Sequence, residues 1–411
     1  MVKLEKHILP NGLRVILHED TTTPMVAVNV VYDVGSRDES PDRTGFAHLF
    51  EHLMFGGSAN VPDFDIPIQM AGGENNAFTN SDMTSFYNVV PAANVETPLW
   101  LESDRMQSLT ISEEALSVQQ KVVVEEFKET CLNEPYGDLM HHITSLAYTV
   151  HPYRWPTIGL VPEHISEATL ADVQAFYDKH YHPANAVLVI AGNIPADRSL
   201  ALAQKWFGSI DGPQQPTRAL PKEGKHTYQR KLVQSTVPLP AIYRAYGMVP
   251  RLHDDYYAYD LLSDVLGNGR SSRLYQRLHK EQNLFSVIDS YISGSFDAGL
   301  FMLEGQPLPH VSADQARAAI LAELHDMQTT PILESELQKL KNKVEASLEY
   351  AEVSILHKAQ SMAYFELLGD ANLINQESSS YQAVTSEDIL RVANELFEED
   401  NCSEVVYEPV T

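Results

Sequence analysis

The opening residues MVKLEKHILPNGLRVILHED place apolar runs on both sides of a Pro-Asn-Gly turn, which predicts two strands joined as a hairpin. Further along, the period shifts from two toward 3.6. ATLADVQAFYDKHYHPANAVLVIAGNI, starting at Ala168, reads as an amphipathic helix, a polar turn and a β-rich run. AVTSEDILRVANELFEEDNCSEVVYEP, starting at Ala383, repeats that order. Thr169 and Thr385 stand where each helix needs an N-cap, with Asp172 and Asp388 three residues on. A second echo pairs AHLFEHLMFGGS with YDLLSDVLGNGRS from Tyr259, each an apolar helix that ends in glycines. The echoes recur about 212–216 residues apart, too far for solenoid units, so the pattern predicts one domain duplicated. Residues 332–368 carry one long helical pattern or two in succession and read as scaffold.

Each half begins with strands and then mixes long helices with further strands, many joined as hairpins. The predicted fold class is α+β: two homologous domains, each a largely antiparallel sheet with helices covering one face. GSIDGPQQPTRALPKEGKH, residues 208–226, is rich in proline, glycine and polar residues and has no period. It divides the chain into an N-terminal domain at 1–210, a linker at 211–226 and a C-terminal domain at 227–411. A length of 411 residues suits that division. No apolar run reaches the roughly 18 residues of a membrane helix. The N-terminus lacks a basic region followed by an apolar core. The expectation is a cytoplasmic protein, or a periplasmic one if a leader was removed.

Charge and cysteine content narrow the chemistry. A formal charge of −27 would repel nucleic acid. Most of it reads as solubility, and an acidic cavity wall would concentrate cationic peptides. Cys131 and Cys402 are the only cysteines and lie far apart, so they give neither a disulfide framework nor a cysteine metal site. Any metal must be held by His, Asp and Glu.

TGFAHLFEHLMFGGS, residues 44–58, supplies such groups. His48 and His52 stand four residues apart, one helical turn, so both imidazoles can face one ion. Glu51 sits on the same side, free to take a proton from water without replacing a ligand. H-x-x-E-H reverses the commoner H-E-x-x-H order. A catalytic zinc needs a third protein ligand and one open position. QQKVVVEEFKETCLNEP predicts a helix ending before Asn133 and Pro135, with Glu125, Glu126 and Glu129 near its centre. Glu126 and Glu129 share a face with Gln119 and Val122, and Glu125 points elsewhere. Alone, such a cluster reads as a solvated helix face; a histidine pair lacking a third ligand makes it a candidate. In the second half, Asp260, Ser263 and Asp264 take the places of His48, Glu51 and His52. Only the first half can hold a histidine-bound metal.

The pattern G-x-x-H-L-x-E-H-x-x-F-x-G from Gly45, followed by an acidic helix, resembles the pitrilysin/insulysin-like inverzincin metallopeptidases. The two-half chain most resembles the mitochondrial processing peptidase-like branch and its bacterial two-subunit relatives. GGENNAFTNSDMTSFYNVVP from Gly72, HPYRWPTIG from His151 and GRSSRLYQRL from Gly269 are similar to family stretches in the same order. The resemblance implies a zinc endopeptidase acting on short or unfolded peptides. It implies Zn2+ held by His48, His52 and Glu126, with Glu51 as general base. It also implies that Asn76, Ala77 and Phe78 lie on an edge strand that binds peptides by strand addition.

The chain departs from the family in two places. Gln119 stands where relatives often have a supporting glutamate, which makes Glu129 the candidate for that catalytic role. His279 and Ser286 stand where relatives carry an Arg and a Tyr that hold the substrate carbonyl. The resemblance therefore implies a heterodimer whose homologous partner supplies that pair; a homodimer using Tyr275, Arg273 or Arg277 is the alternative. A non-catalytic structural, assembly or peptide-binding subunit is the alternative function.

Overall fold

The structure, a computed structural model, describes residues 1–215 and 217–410. Pro216, in the expected linker, and Thr411, at the end of the expected C-terminal domain, lie outside the described residues. The N-terminal alternation becomes β1 (Glu5–Ile8) and β2 (Arg14–Glu19), an antiparallel hairpin. With β3 (Met25–Tyr32), β4 (Glu74–Thr79), β5 (Thr84–Pro91) and β6 (Ala186–Gly192) they form a sheet ordered β1-β2-β6-β3-β5-β4. Every pairing in it is antiparallel except that of β2 with β6.

A second sheet joins β7 (Gln229–Ser235), β8 (Ala241–Gly247), β9 (Phe285–Ile292), β10 (Leu300–Pro307) and β11 (Cys402–Pro409) in the order β7-β11-β8-β10-β9. Here only β7 and β11 run parallel. The order β2-β6-β3-β5-β4 therefore corresponds strand for strand to β7-β11-β8-β10-β9. The repeat in the sequence is a repeat of topology. Both predicted N-caps form reciprocal capping boxes, Thr169 with Asp172 and Thr385 with Asp388.

The chain forms two compact units. One comprises Met1–Phe127, Trp155–Leu220 and Glu349–Gln376; the other comprises Lys128–Arg154, Pro221–Leu348 and Glu377–Thr411. These differ from the contiguous stretches 1–210 and 227–411, because each unit takes one helical segment from the other stretch. In the first unit, Val26, Val28, Val30 and Tyr32 of β3 face a core built with Leu49, Phe50, Val123, Val173 and Tyr177. The intervening residues Ala27, Asn29 and Val31 are buried on the opposite face, where the helix Ile355–Leu367 packs on β3 and β6. In the second unit, Ile242, Phe301 and Leu303 face one core, while Tyr243, Met302 and Tyr407 meet Ile143 of the helix Leu139–Ala147 on the other side. Helices thus cover both faces of each sheet, not one. A central strand that is apolar on both faces needs two covers, and each unit finds its second one far away in sequence. Residues 332–368 resolve into two helices, Glu334–Ala351 and Ile355–Leu367. Among the described residues, no helix is long and apolar enough to cross a membrane.

Candidate metal centre

The helix Phe46–Leu53 buries Phe46, Ala47, Leu49, Phe50 and Leu53, leaving His48, Glu51 and His52 on its half-exposed face. Its entry is tightly specified. Gly45 has φ 89°, and a Cβ there would lie 2.8 Å from the Ile158 carbonyl oxygen, so the turn requires glycine. Glu39 is buried, and its two carboxylate oxygens accept from Gly45 N–H (2.9 Å) and Ala47 N–H (2.8 Å). This satisfies orphan donors at the helix start, where the dipole favours an anion. Burial nonetheless pushes the Glu39 carboxyl well above its ordinary pKa, with the two N–H donors pulling the other way. The preceding loop is pinned by Arg37, which bonds Asp82 (2.7 Å) and Asp33 (3.1 Å).

The helix Glu113–Phe127 brings in the third group. Leu116, Val123 and Phe127 are its buried residues, and Gln120 Nε2 donates to the carbonyls of Ile165 (2.8 Å) and Ala168 (2.9 Å), which fixes its rotation. Glu126 then meets both histidines: Oε1 is 3.6 Å from His48 Nε2 and Oε2 is 3.4 Å from His52 Nε2. One ligand atom from each of His48, His52 and Glu126 lies within 4.8 Å of the others.

Those distances fit a cation. They are too long for good hydrogen bonds and set the three groups around one point. Ligands about 2.1 Å from a tetrahedral zinc stand about 3.4 Å apart. Burial, then the neighbouring His52, pushes His48 down to about 4, so its ring is neutral near pH 7. Side-chain exposure rises from 14% at His48 to 24% at His52 and 38% at Glu126, which opens one side of the cluster to water.

Glu51 stands outside the triad, its Oε2 accepting from the Thr79 hydroxyl at 2.6 Å. Thr79 ends β4, and β4 is an edge strand that carries Asn76, Ala77 and Phe78. The remaining sequence candidates lie on other stretches of the chain. Glu129 lies on a π-helical continuation, Lys128–Asn133, and Gln119 is half-buried two turns before Glu126. His279 Nδ1 bonds the Phe285 carbonyl (2.8 Å), and Ser286 Oγ donates to the Gln306 carbonyl (2.9 Å). Arg277 pairs with Glu323 and Asp326, both at 2.7 Å, and Arg273 with Glu336 at 3.0 Å.

Sequence reasoning passed over Glu39 and Thr79. An acidic residue shortly before a glycine-started helix is a readable capping signal for the first. The second stands in GGENNAFT, inside the stretch similar to the family's, but its bond to Glu51 is not announced there, because that partner lies 28 positions earlier in the chain.

The pattern of the insulinase family (peptidase family M16) matches residues 14–159, and that of the peptidase M16 inactive domain matches residues 167–344. Zinc protease PqqE of Helicobacter pylori is 30% identical over 414 residues, covering 99% of this chain and 93% of its own. The uncharacterized zinc protease YmxG of Bacillus subtilis is 28% identical, covering 97% of this chain and 96% of its own. The crystal structure of a protease from Helicobacter pylori superposes with a TM-score of 0.95 at 29% identity, over the whole of both chains. A peptidase M16 inactive domain from Pseudomonas fluorescens shares the fold, with a TM-score of 0.88 at 19% identity over 100% of this chain and 98% of that one. With its duplicated sheets, its histidine-rich helix and relatives that match along its length, this chain belongs to peptidase family M16.

Proposed function

We propose that the chain is a zinc-dependent endopeptidase of the H-x-x-E-H type that cleaves short or unfolded peptides. One observation carries this reading: His48, His52 and Glu126 converge at zinc-ligand spacing with Glu51 beside them and outside the triad. The names of the relatives, zinc proteases, agree with it. Zinc held by these three residues supplies Lewis acidity, which activates water and polarises a peptide carbonyl. Glu51 takes the proton from the attacking water and returns it to the leaving amine. Its bond to Thr79 holds the carboxylate in place for that transfer. The open edge of β4 takes an extended main chain by strand addition, with Asn76, Ala77 and Phe78 along it, so a folded substrate would be refused.

The finer reading is a heterodimer. Arg273 and Arg277 are engaged by carboxylates, His279 and Ser286 by backbone carbonyls, and Tyr275 stacks on His279 at 4.7 Å, which supports a partner that supplies the pair over a homodimer that uses these residues. The same observation favours the alternative of a non-catalytic subunit. Zinc-loaded protein is incubated with a fluorogenic library of extended peptides, alone and with a purified homologous subunit, with Glu51→Gln as control. Cleavage is expected with the partner present and falls at least about 100-fold in Glu51→Gln, while bound zinc is unchanged. No cleavage under either condition would defeat the peptidase reading, and full turnover without the partner would defeat the heterodimer.

A further inference from the structure

The hairpin that carries β4 fixes which backbone groups look outward. Asn80 N–H donates to the Met83 carbonyl at 3.0 Å and closes the turn. Hydrogen-bonded and open pairs alternate along an antiparallel ladder. The neighbouring pair, Thr79 with Thr84, is therefore an open pair, as is Ala77 with Phe86. In an open pair both residues turn N–H and C=O away from the partner strand. On β4 that direction is the sheet edge, where no strand pairs among the described residues. The Ala77 N–H bears this out: it donates to the side-chain oxygen of Asn76 at 2.8 Å, a stand-in for a strand acceptor.

Side chains alternate too, so Ala77 and Thr79 share one face of β4. Ala77 packs against the core that contains Leu49 and Phe50, and the Thr79 hydroxyl reaches Glu51 Oε2 at 2.6 Å. Thr79 therefore offers its main chain to the open edge and its side chain to the catalytic base at once. We propose that Thr79 is a positioning residue that registers a docked peptide strand against Glu51. Its main chain sets the peptide's register, and its hydroxyl fixes one carboxylate oxygen so that the other faces the attacking water. A peptide bonded to Thr79 is thereby held a fixed distance from the group that moves its proton. The inference rests on the peptidase reading above and adds a residue to it.

Wild type, Thr79→Val and Thr79→Ser are compared after zinc loading. Thr79→Val keeps the main chain and removes the hydroxyl, so kcat should fall by roughly 10–100-fold, the range for losing a hydrogen bond to a charged group. KM and zinc stoichiometry should stay at wild-type values, and Thr79→Ser should restore kcat. Unchanged kcat in Thr79→Val, a loss that serine does not rescue, or a loss expressed in KM would overturn the proposal. Crystal structures of wild type and Thr79→Val give a readout without turnover. The Glu51 carboxylate should leave its wild-type position once the hydroxyl is gone, and an unmoved carboxylate overturns the proposal. If wild type cleaves nothing while Glu51 moves as expected, the peptidase reading alone falls.

Discussion

In the first half, the helix Phe46–Leu53 carries His48, Glu51 and His52; in the second, Tyr256–Leu266 carries Asp260, Ser263 and Asp264 at the matching positions. The second set is closed on itself. Asp260 accepts the Tyr381 hydroxyl, Ser263 Oγ donates to the Asp260 carbonyl at 2.8 Å, and Asp264 accepts from Asn268 with Lys343 Nζ 3.7 Å away. In the first set Glu51 accepts from the Thr79 hydroxyl, while both imidazoles face Glu126. The Glu126 oxygens lie 3.6 Å from His48 Nε2 and 3.4 Å from His52 Nε2. Grouped acidic and histidine side chains are common, but buried polar groups normally find partners in the protein. The pair of helices contrasts polar groups that converge around one point with polar groups that bond to separate neighbours. A retired copy of the same helix spends its polar groups on hydrogen bonds.

Zinc counting tests that difference most sharply. Glu126→Ala removes the proposed third ligand and should abolish zinc retention during dialysis, against one ion per wild-type chain. Asp260→His combined with Asp264→His restores imidazoles to the second helix but supplies no converging carboxylate. Zinc should remain at one ion per chain. Two ions in the grafted protein would mean that the imidazoles alone separate the halves. A smaller effect should follow from Glu39→Gln. Glutamine presents an N–H₂ group to one of the two backbone donors, so Gly45 N–H or Ala47 N–H loses its acceptor, at a cost of about 1–3 kcal/mol. Because the same helix start orients His48, zinc affinity should also fall on the order of 10-fold, measured by chelator competition. Lost stability with unchanged affinity would confine Glu39 to holding the fold.

The histidine helix was legible in the sequence because its signal is local and periodic. His48, Glu51 and His52 declare a shared face at i, i+3 and i+4, whereas the acidic run leaves Glu125, Glu126 and Glu129 open and only the family resemblance singles out Glu126. The duplicated topology was legible for a similar reason, since Thr169–Asp172 and Thr385–Asp388 are short-range capping signals. What stayed hidden is long-range. The helix Ile355–Leu367 reads as scaffold of the C-terminal stretch, yet it covers the first sheet. Its amphipathic pattern says that it needs an apolar partner, not which sheet provides one. The Thr79–Glu51 bond is hidden too, because strand register is set by the hairpin turn and the neighbouring strand.

That long-range cover offers the mildest test, and it contrasts a buried ion pair with the histidine cluster in the same unit. Lys358 on the covering helix bonds Asp20 at the end of β2, both side chains largely buried at 11% and 13% exposure. The hydrogen bond from Lys358, helped by the Thr22 hydroxyl, holds the Asp20 carboxyl well below its ordinary value of 3.8. A depressed carboxylate stabilises the fold at all pH above its unfolded value, and the contribution is lost as pH falls from about 4 toward the folded value. Lys358→Met should therefore cost about 1–2 kcal/mol at pH 7 by denaturant unfolding. The gap to wild type should narrow below about pH 4, as the unfolded chain takes up its proton first. A gap that stays constant down to pH 2 would mean that the helix is held on the first sheet by its apolar face alone, with the ion pair contributing nothing to the exchange of segments.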